Sequence, residues 1–220
     1  MMSSYLSKVY KKDMGTLNIY VLEEKSLAKA GMSCMTSRLS NGGDLQSHVK
    51  EVVSFSDEKS FLSSILSIVG KMLSSNSDAI NLLIISAHGL DETGTNIALE
   101  EDGTSINLRD HSDFFKVPPN HLVIYLSICK GAYPGAFACF CQGYEPKPIV
   151  VSPVVPICPN DANDFQHMLI DTMTIKSDNE DEIFKQIVLF NSKVKNSYNH
   201  DYTMGIFKRN GEWVPPQGIK

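Results

Sequence analysis

The chain of 220 residues is 42% hydrophobic and 20% charged, which is typical of a globular protein and suits a single domain spanning residues 1–220. Its net charge of −5, with no Lys/Arg cluster beyond short pairs, argues against nucleic acid or an anionic membrane as the main partner, because both require a positive surface. No apolar run approaches the roughly 18 residues of a membrane helix, and the N-terminus, MMSSYLSKVYKKDMG, lacks the apolar core of a secretion signal, so we expect a soluble cytoplasmic protein.

The first third of the chain predicts two strands and one helix. The strands are expected at 16–22 and 49–55, and the Ser-, Gly- and Asn-rich segment 26–46 between them predicts a loop with at most a short helix. Ser56 or Asp57 is placed to cap a helix that ends near residues 76–78. Apolar residues recur through it at helical spacing, namely Phe61, Ile65, Ile68, Val69 and Met72.

The middle of the chain predicts two fully buried strands separated by a hairpin. Residues 81–87 and 122–128 are almost wholly apolar, as expected where helices cover both faces of a sheet. Residues 97–108 predict a hairpin that turns at Asp102-Gly103. A short helix then runs to Phe115 and is ended by two prolines.

The last third predicts one more buried strand, two helices and a final strand. The strand at 148–155 contains prolines, so we expect it to end early or to lie at an edge of the sheet. Helices are predicted at 161–173 and 180–196, and a strand at 202–207. Strands separated by helices indicate a three-layer αβα sandwich with a mostly parallel sheet.

A histidine and a cysteine follow the two buried strands of the middle region. His88 comes after 81–87 and Cys129 after 122–128, and functional residues of parallel sheets gather at the carboxyl ends of strands. Either residue alone is more often a packing or hydrogen-bonded structural group. Together they predict a thiol nucleophile beside an imidazole, with the amides of Gly89 and Cys129 as donors to an oxyanion.

The remaining candidates have weaker support. The cysteines are odd in number (34, 129, 139, 141 and 158) and lack metal-ligand spacing, which indicates reduced thiols and no metal site. The other five histidines have no matching partner in the sequence. Ser86 and Ser127, which precede the strand-end residues, are expected to satisfy backbone groups. The chain has no G-x-S-x-G, P-loop or G-x-G-x-x-G motif, which disfavours serine hydrolases, nucleotide hydrolases and dinucleotide enzymes.

The two strand ends resemble the caspase-like (clan CD) cysteine peptidases. "IISAHG" is similar to the histidine block of that clan, and "VIYLSICKG" to its cysteine block. The hairpin after His-Gly and the stretch "IVVSPVVPICPNDANDF" are closest to the CHAT-domain branch, although Cys129-Lys130-Gly131-Ala132 departs from the Cys-x-Thr-Gly that is common at the nucleophile of that branch. The resemblance covers about residues 80–173 and implies a caspase-like fold.

The resemblance also implies a function and a site. Cys129 and His88 would form the dyad of a cysteine endopeptidase, with no required third residue and no cofactor. Ser152, Asp161 and Asp164 lie where the clan reads the residue before the cut, and an acidic pocket there would favour Arg or Lys. The two aspartates also suit the first turn of a helix, where carboxylates are stabilised.

The implied partner is a protein substrate, such as a pore-forming or other effector protein of a bacterial defence or cell-death pathway. Activation would come from a partner, from self-cleavage or from dimerisation. Two alternatives are an inactive caspase-like interaction module, and a Cys-dependent hydrolase or acyltransferase that acts on a small molecule. An open groove able to pair an extended peptide would favour the peptidase, and a narrow closed pocket the small-molecule enzyme.

Overall fold

A computed structural model places the main strands and helices of the chain. It describes residues 16–29, 47–75, 79–89, 96–99, 103–115, 121–128, 148–154, 156–173, 180–198, 204–207 and 212–214. The strands are β1 (Leu17–Glu24), β2 (Val49–Phe55), β3 (Ile80–Ser86), β4 (His88–Gly89), β5 (Asn96–Ala98), β6 (Ser105–Asn107), β7 (Leu122–Ser127), β8 (Ile149–Pro153), β9 (Met204–Phe207) and β10 (Trp213–Val214). The helices are α1 (Lys25–Lys29), α2 (Glu58–Leu73), α3 (Pro159–Met173) and α4 (Glu180–Ser197), with a kinked 3₁₀ segment at Leu108–Phe115.

The main sheet is mostly parallel. Among the described residues it has seven strands in the order β10-β9-β8-β7-β3-β1-β2. The five strands from β8 to β2 pair in parallel, while β9 pairs antiparallel with β8 and β10 antiparallel with β9. A separate small sheet joins β4, β5 and β6 as an antiparallel meander.

Helices cover both faces of the main sheet. Alternate residues of a strand point to opposite faces, and in β1 Ile19 and Val21 pack with α3 and α4 on one face. Tyr20 and Leu22 pack with α2 and the small sheet on the other face. The described buried residues thus form two apolar layers, one on each side of the sheet, and the predicted three-layer αβα architecture is confirmed.

The start of α2 is defined by a capping box. The Asp57 carboxylate accepts a hydrogen bond from the backbone N–H of Ser60 at 2.7 Å, and the Ser60 hydroxyl accepts one from the backbone N–H of Asp57 at 3.2 Å. Of the two predicted caps, Asp57 is therefore the one used. All five apolar residues predicted for this helix are buried.

The hairpin between the two central strands turns where it was predicted. Gly103 has φ of +69°, a conformation that glycine adopts without the steric penalty of a Cβ atom. Its N–H donates to the Leu99 carbonyl at 3.0 Å, and the Leu99 N–H donates to the Thr104 carbonyl at 3.0 Å, which closes the turn between β5 and β6.

Strand β8 meets the expectation for 148–155, which was that the strand ends early or lies at an edge of the sheet. It ends early, at Pro153, but it lies between β7 and β9 and not at an edge. Proline is tolerated there because it is the last residue of the strand, so its missing N–H affects only the end of the ladder. The short strand β10 was not predicted. No described helix is long and apolar enough to cross a membrane.

Candidate active site

The two strands that precede His88 and Cys129 are direct neighbours. Strands β3 and β7 pair in parallel from Asn81↔Leu122 to Ser86↔Ser127. One further backbone bond, from the Ala87 N–H to the Ser127 carbonyl at 3.3 Å, extends the contact past the last register pair. The two strands therefore end at the same height on the same edge of the sheet.

His88 lies just beyond this edge, where the chain leaves the main sheet. It is half-buried and pairs antiparallel with Ala98 of β5, and Gly89 pairs with Ile97. The hairpin thus holds the backbone of His88 and of the candidate oxyanion donor Gly89. This pairing fixes the path of the chain immediately after β3.

Cys129 lies outside the described residues, and so do Lys130, Gly131 and the cysteines at 34, 139 and 141. The chain is described up to Ile128, which is fully buried on the α2 side of the sheet. In the sequence, His88 and Cys129 each come two residues after a serine of the register pair Ser86↔Ser127. The dyad itself stays a prediction.

A buried polar cluster links the ends of β3 and β7. The side-chain amide of Gln166, on α3, donates hydrogen bonds to the Ser127 hydroxyl at 3.1 Å and to the Ser86 hydroxyl at 3.3 Å. The exposed fractions are 2% for Gln166, 9% for Ser86 and 4% for Ser127. The serines were expected to satisfy backbone groups, but the structure gives them this side-chain partner.

The adjoining strand β1 also ends in polar residues. Glu23 is buried and in register with Ser86, so it continues the row of polar residues across three strands. Glu24 is buried on the opposite face and accepts hydrogen bonds from the backbone N–H and the hydroxyl of Ser26. The carboxyl ends of β1, β3 and β7 are thus polar, whereas the middle of each of these three strands is apolar.

The three candidate substrate-binding residues lie in two different environments. Ser152 is buried in β8, and its hydroxyl donates to the Leu126 carbonyl at 2.8 Å. Asp161 is half-buried in the first turn of α3, where a carboxylate is stabilised by the helix dipole. Asp164 is exposed and accepts a hydrogen bond from the Tyr198 hydroxyl at 2.5 Å.

Asp161 and Asp164 form a small acidic group near the start of α3. Cys158 directly precedes the helix with its thiol exposed. Burial, the hydrogen bond to Asp164 and the nearby acidic groups raise the pKa of Tyr198 to about 12.

Among the described residues, no group of three or more His, Cys, Asp or Glu side chains could hold a metal ion.

Gln166 and Tyr198 were missed by the sequence analysis. A signal for Gln166 is present, because it falls within the apolar stripe of α3 formed by Phe165, Leu169 and Ile170. A polar residue in a buried stripe indicates a specific hydrogen-bond partner. The sequence contains no comparable signal for Tyr198, which directly follows α4 and contacts Asp164 of α3.

Comparison with known proteins identifies the fold. No protein-family model matches the sequence, and no curated protein matches it significantly. Among solved structures, the chain is similar to a secreted C11 cysteine protease from Bacteroides thetaiotaomicron, solved in complex with an irreversible peptide inhibitor. The TM-score is 0.56 at 11% sequence identity, and the match covers 89% of this chain and 67% of that one. C11 proteases have the caspase-like fold of clan CD, so the predicted caspase-like fold is confirmed.

Proposed function

We propose that the protein is a cysteine endopeptidase that uses a Cys129–His88 dyad. The observation that carries the proposal is the parallel pairing of β3 with β7, in register up to Ser86↔Ser127, within a caspase-like fold. Residues that come one or two positions after the ends of two neighbouring parallel strands emerge at one edge of the sheet. A histidine and a cysteine in those two positions supply a base and a nucleophile for acyl transfer.

In the proposed reaction the Cys129 thiolate attacks the carbonyl carbon of the scissile peptide bond. The negative charge that develops on the carbonyl oxygen is stabilised by the backbone N–H groups of Gly89 and Cys129. The protonated His88 gives its proton to the leaving amine as the C–N bond breaks, which leaves an acyl thioester on Cys129. His88 then takes a proton from water as the water oxygen attacks the thioester carbon; the C–S bond breaks, Cys129 leaves as the thiolate, and the new carboxyl terminus is released.

The proposed substrate is a protein, and the proposed location is the cytoplasm. By analogy with the CHAT branch, the cleaved protein would be a pore-forming or other effector in a bacterial defence or cell-death pathway. Activation would require a partner protein, self-cleavage or dimerisation. Neither nucleic acid nor a membrane surface is part of the proposal, in keeping with the net charge of −5.

The proposal includes a preference for Arg or Lys before the cut. Its basis is the negative charge of Asp161 and Asp164 at the start of α3; the buried Ser152, whose hydroxyl is bonded to the Leu126 carbonyl, takes no part in it. Asp161→Asn and Asp164→Asn are expected to reduce cleavage after basic residues more than cleavage after other residues. Equal cleavage of both classes by the wild type would contradict this preference.

The experiment compares four proteins: the wild type, Cys129→Ala, His88→Ala and Cys158→Ser. Each is incubated with a peptide library and with candidate partner proteins from the same source, and the products are identified by mass spectrometry. Cys158→Ser is the matched control, since it removes an exposed thiol that the proposal does not use. We expect the wild type and Cys158→Ser to cut the same sites and Cys129→Ala to cut none. His88→Ala should be slower by at least about 100-fold, the contribution of a general base.

Other outcomes would favour the alternative functions. Absence of cuts, together with alkylation of Cys129 no faster than that of free cysteine, would overturn the peptidase proposal and favour an interaction module. Cys129-dependent turnover of small esters or amides without cleavage of peptides would instead favour a small-molecule hydrolase or acyltransferase.

A further inference from the structure

We propose that Gln166 is a positioning residue for the active site, which acts by joining the carboxyl ends of β3 and β7 through Ser86 and Ser127. The inference rests on the proposed function, because the residues that follow these two strands are the members of the proposed dyad. Gln166 itself would not touch the substrate. It would hold the strand ends from which His88 and Cys129 continue.

The contacts match the chemistry of a primary amide. The single nitrogen of the Gln166 side chain carries two N–H groups, and the two serine hydroxyls accept one hydrogen bond each, at 3.1 Å and 3.3 Å. Gln166 is carried by α3 between the apolar residues Phe165 and Leu169, both fully buried against the sheet. Packing of those neighbours therefore fixes where the amide can reach.

The two hydrogen bonds of Gln166 lie where the backbone ladder between β3 and β7 stops. Among the described residues, the last backbone bond between the two chain segments runs from Ala87 to Ser127. One residue later His88 pairs with β5 in the small sheet. Beyond the bond from Ala87 to Ser127 the described backbone contains no further hydrogen bond between these two segments, so Gln166 supplies a cross-link at the last point where they are side by side.

Stability alone does not require three polar residues here. Replacing a buried hydrogen-bonded group by apolar residues of similar shape can leave a protein about as stable. A network that joins two strands also restrains their separation, and displacement of a catalytic group by about 1 Å can slow a reaction by roughly 100-fold. A positioning role therefore explains why Gln166, Ser86 and Ser127 are polar and why they lie at the carboxyl ends of β3 and β7.

The test compares Gln166→Leu, the double variant Ser86→Ala/Ser127→Ala, and the triple variant that combines them. Gln186→Leu is the matched control, because Gln186 is a glutamine 3% exposed on α4, eleven residues before the end of that helix. Gln186 therefore lies about 16 Å, measured along the helix axis, from the end of α4 that meets α3 through the contact of Tyr198 with Asp164. The readouts are kcat and KM on a cleaved peptide, the pH profile of Cys129 alkylation resolved by mass spectrometry, and Tm.

We expect Gln166→Leu to lower kcat by about tenfold or more and to change KM by less than about twofold, since the substrate contacts are unchanged. The pH profile of Cys129 alkylation should shift in the same direction as in His88→Ala. In the background without the two serine hydroxyls, Gln166→Leu should cause no further loss, because its effect passes through them. If Gln166→Leu does not fold, the two single Ser→Ala variants, each of which removes one oxygen atom, replace it in the test.

The inference would be overturned if Gln166→Leu kept the kcat and the alkylation profile of the wild type. It would also be overturned if Gln186→Leu lowered kcat as much as Gln166→Leu does, or if Gln166→Leu lowered kcat by its full factor again in the triple variant. These results are separable from failure of the proposed function. If His88→Ala impairs cleavage but Gln166→Leu does not, the peptidase proposal stands and the positioning role falls. If the wild type neither cleaves nor shows His88-dependent alkylation, both fall.

Discussion

Tyr198, which directly follows α4, is a residue whose acid–base behaviour depends on neighbours from α3. Its ring packs edge-on against Phe165, with centroids 5.0 Å apart, and its hydroxyl donates to the Asp164 carboxylate. Burial of the ring, this hydrogen bond and the nearby acidic groups raise its pKa from 10.0 to about 12. A raised pKa means that the folded protein holds the proton more tightly than the unfolded chain. The contribution of the protonated Tyr198 to the stability of the fold is fully present below pH 10 and is lost as the pH rises towards 12.

The titration of Tyr198 can be observed directly by NMR of the protein labelled at its tyrosine rings. At a pH of about 11, between 10.0 and about 12, Tyr198 should remain mostly protonated while exposed tyrosines have largely ionised. Its signal is assigned by its absence in Tyr198→Phe. In Asp164→Asn the pKa should fall, because the negative charge of the carboxylate is removed, but it should stay above its ordinary value of 10.0, because burial of the ring is the largest cause of the shift and is unchanged. Titration of Tyr198 with the exposed tyrosines in the wild type would contradict the prediction.

At the scale of single elements, α2 is formed by local sequence signals. Its N-cap, Asp57, accepts from the Ser60 N–H, and its apolar residues recur on one face that packs under the sheet. The hydrogen bonds from Ser60 hold the pKa of the Asp57 carboxyl below its ordinary value of 3.8. The ionised Asp57 carboxylate therefore stabilises the fold above pH 3.8. This contribution is lost as the pH falls through the lowered pKa of the folded state and the carboxylate becomes protonated.

Loss of this cap should weaken the protein measurably. Asp57→Ala removes the acceptor for the first turn of α2 and should lower Tm by about 2–4 °C at neutral pH. Asp57→Asn retains an acceptor oxygen and should lose less. The difference in Tm between the wild type and Asp57→Asn should narrow in acid, where the carboxylate becomes protonated. Thermal unfolding followed by circular dichroism checks this, and identical Tm values for the wild type and Asp57→Ala would refute it.

At the scale of the whole molecule, the sheet is held between two apolar layers. Helices α3 and α4 form one of them, in which the Phe190 ring of α4 meets the Tyr125 ring of β7 edge-on at 6.1 Å. Tyr125 lies two residues before Ser127 on the strand that leads to Cys129. Packing of α4 therefore supports the same strand that the proposed site depends on.

A pair of neighbouring residues on α4 tests how much this layer stabilises the fold. Phe190 is 0% exposed and Leu189 is 44% exposed. Phe190→Ala should lower the free energy of unfolding by about 3–5 kcal/mol, because it removes a buried ring and leaves a cavity. Leu189→Ala should change it by no more than about 0.5 kcal/mol. Denaturant unfolding measures both, and similar values for the two variants would show that α4 does not pack as described.

Much of the site's setting was predictable because it depends on local patterns. The strand at 49–55 has the predicted bounds, and the strands ending before His88 and Cys129 were located to within one residue. Alternation, apolar runs and turn residues act over a few positions, so they can be recognised without knowing the partners. The pairing of His88 with β5 and the bridge from Gln166 could not be predicted, because they join segments 10 and more residues apart.

The sequence by itself determined most of the elements of this protein, their alternation and hence the αβα class, since each residue's tendency to be buried or to turn the chain is a local property. Only the tertiary structure decided that β3 lies beside β7, that β8 is an interior strand and that α3 places Gln166 under both strand ends. The physical reason is that the backbone of any strand can pair with that of any other. The choice of neighbour follows from the packing of both apolar layers at once, and it brings together residues that are far apart in the chain.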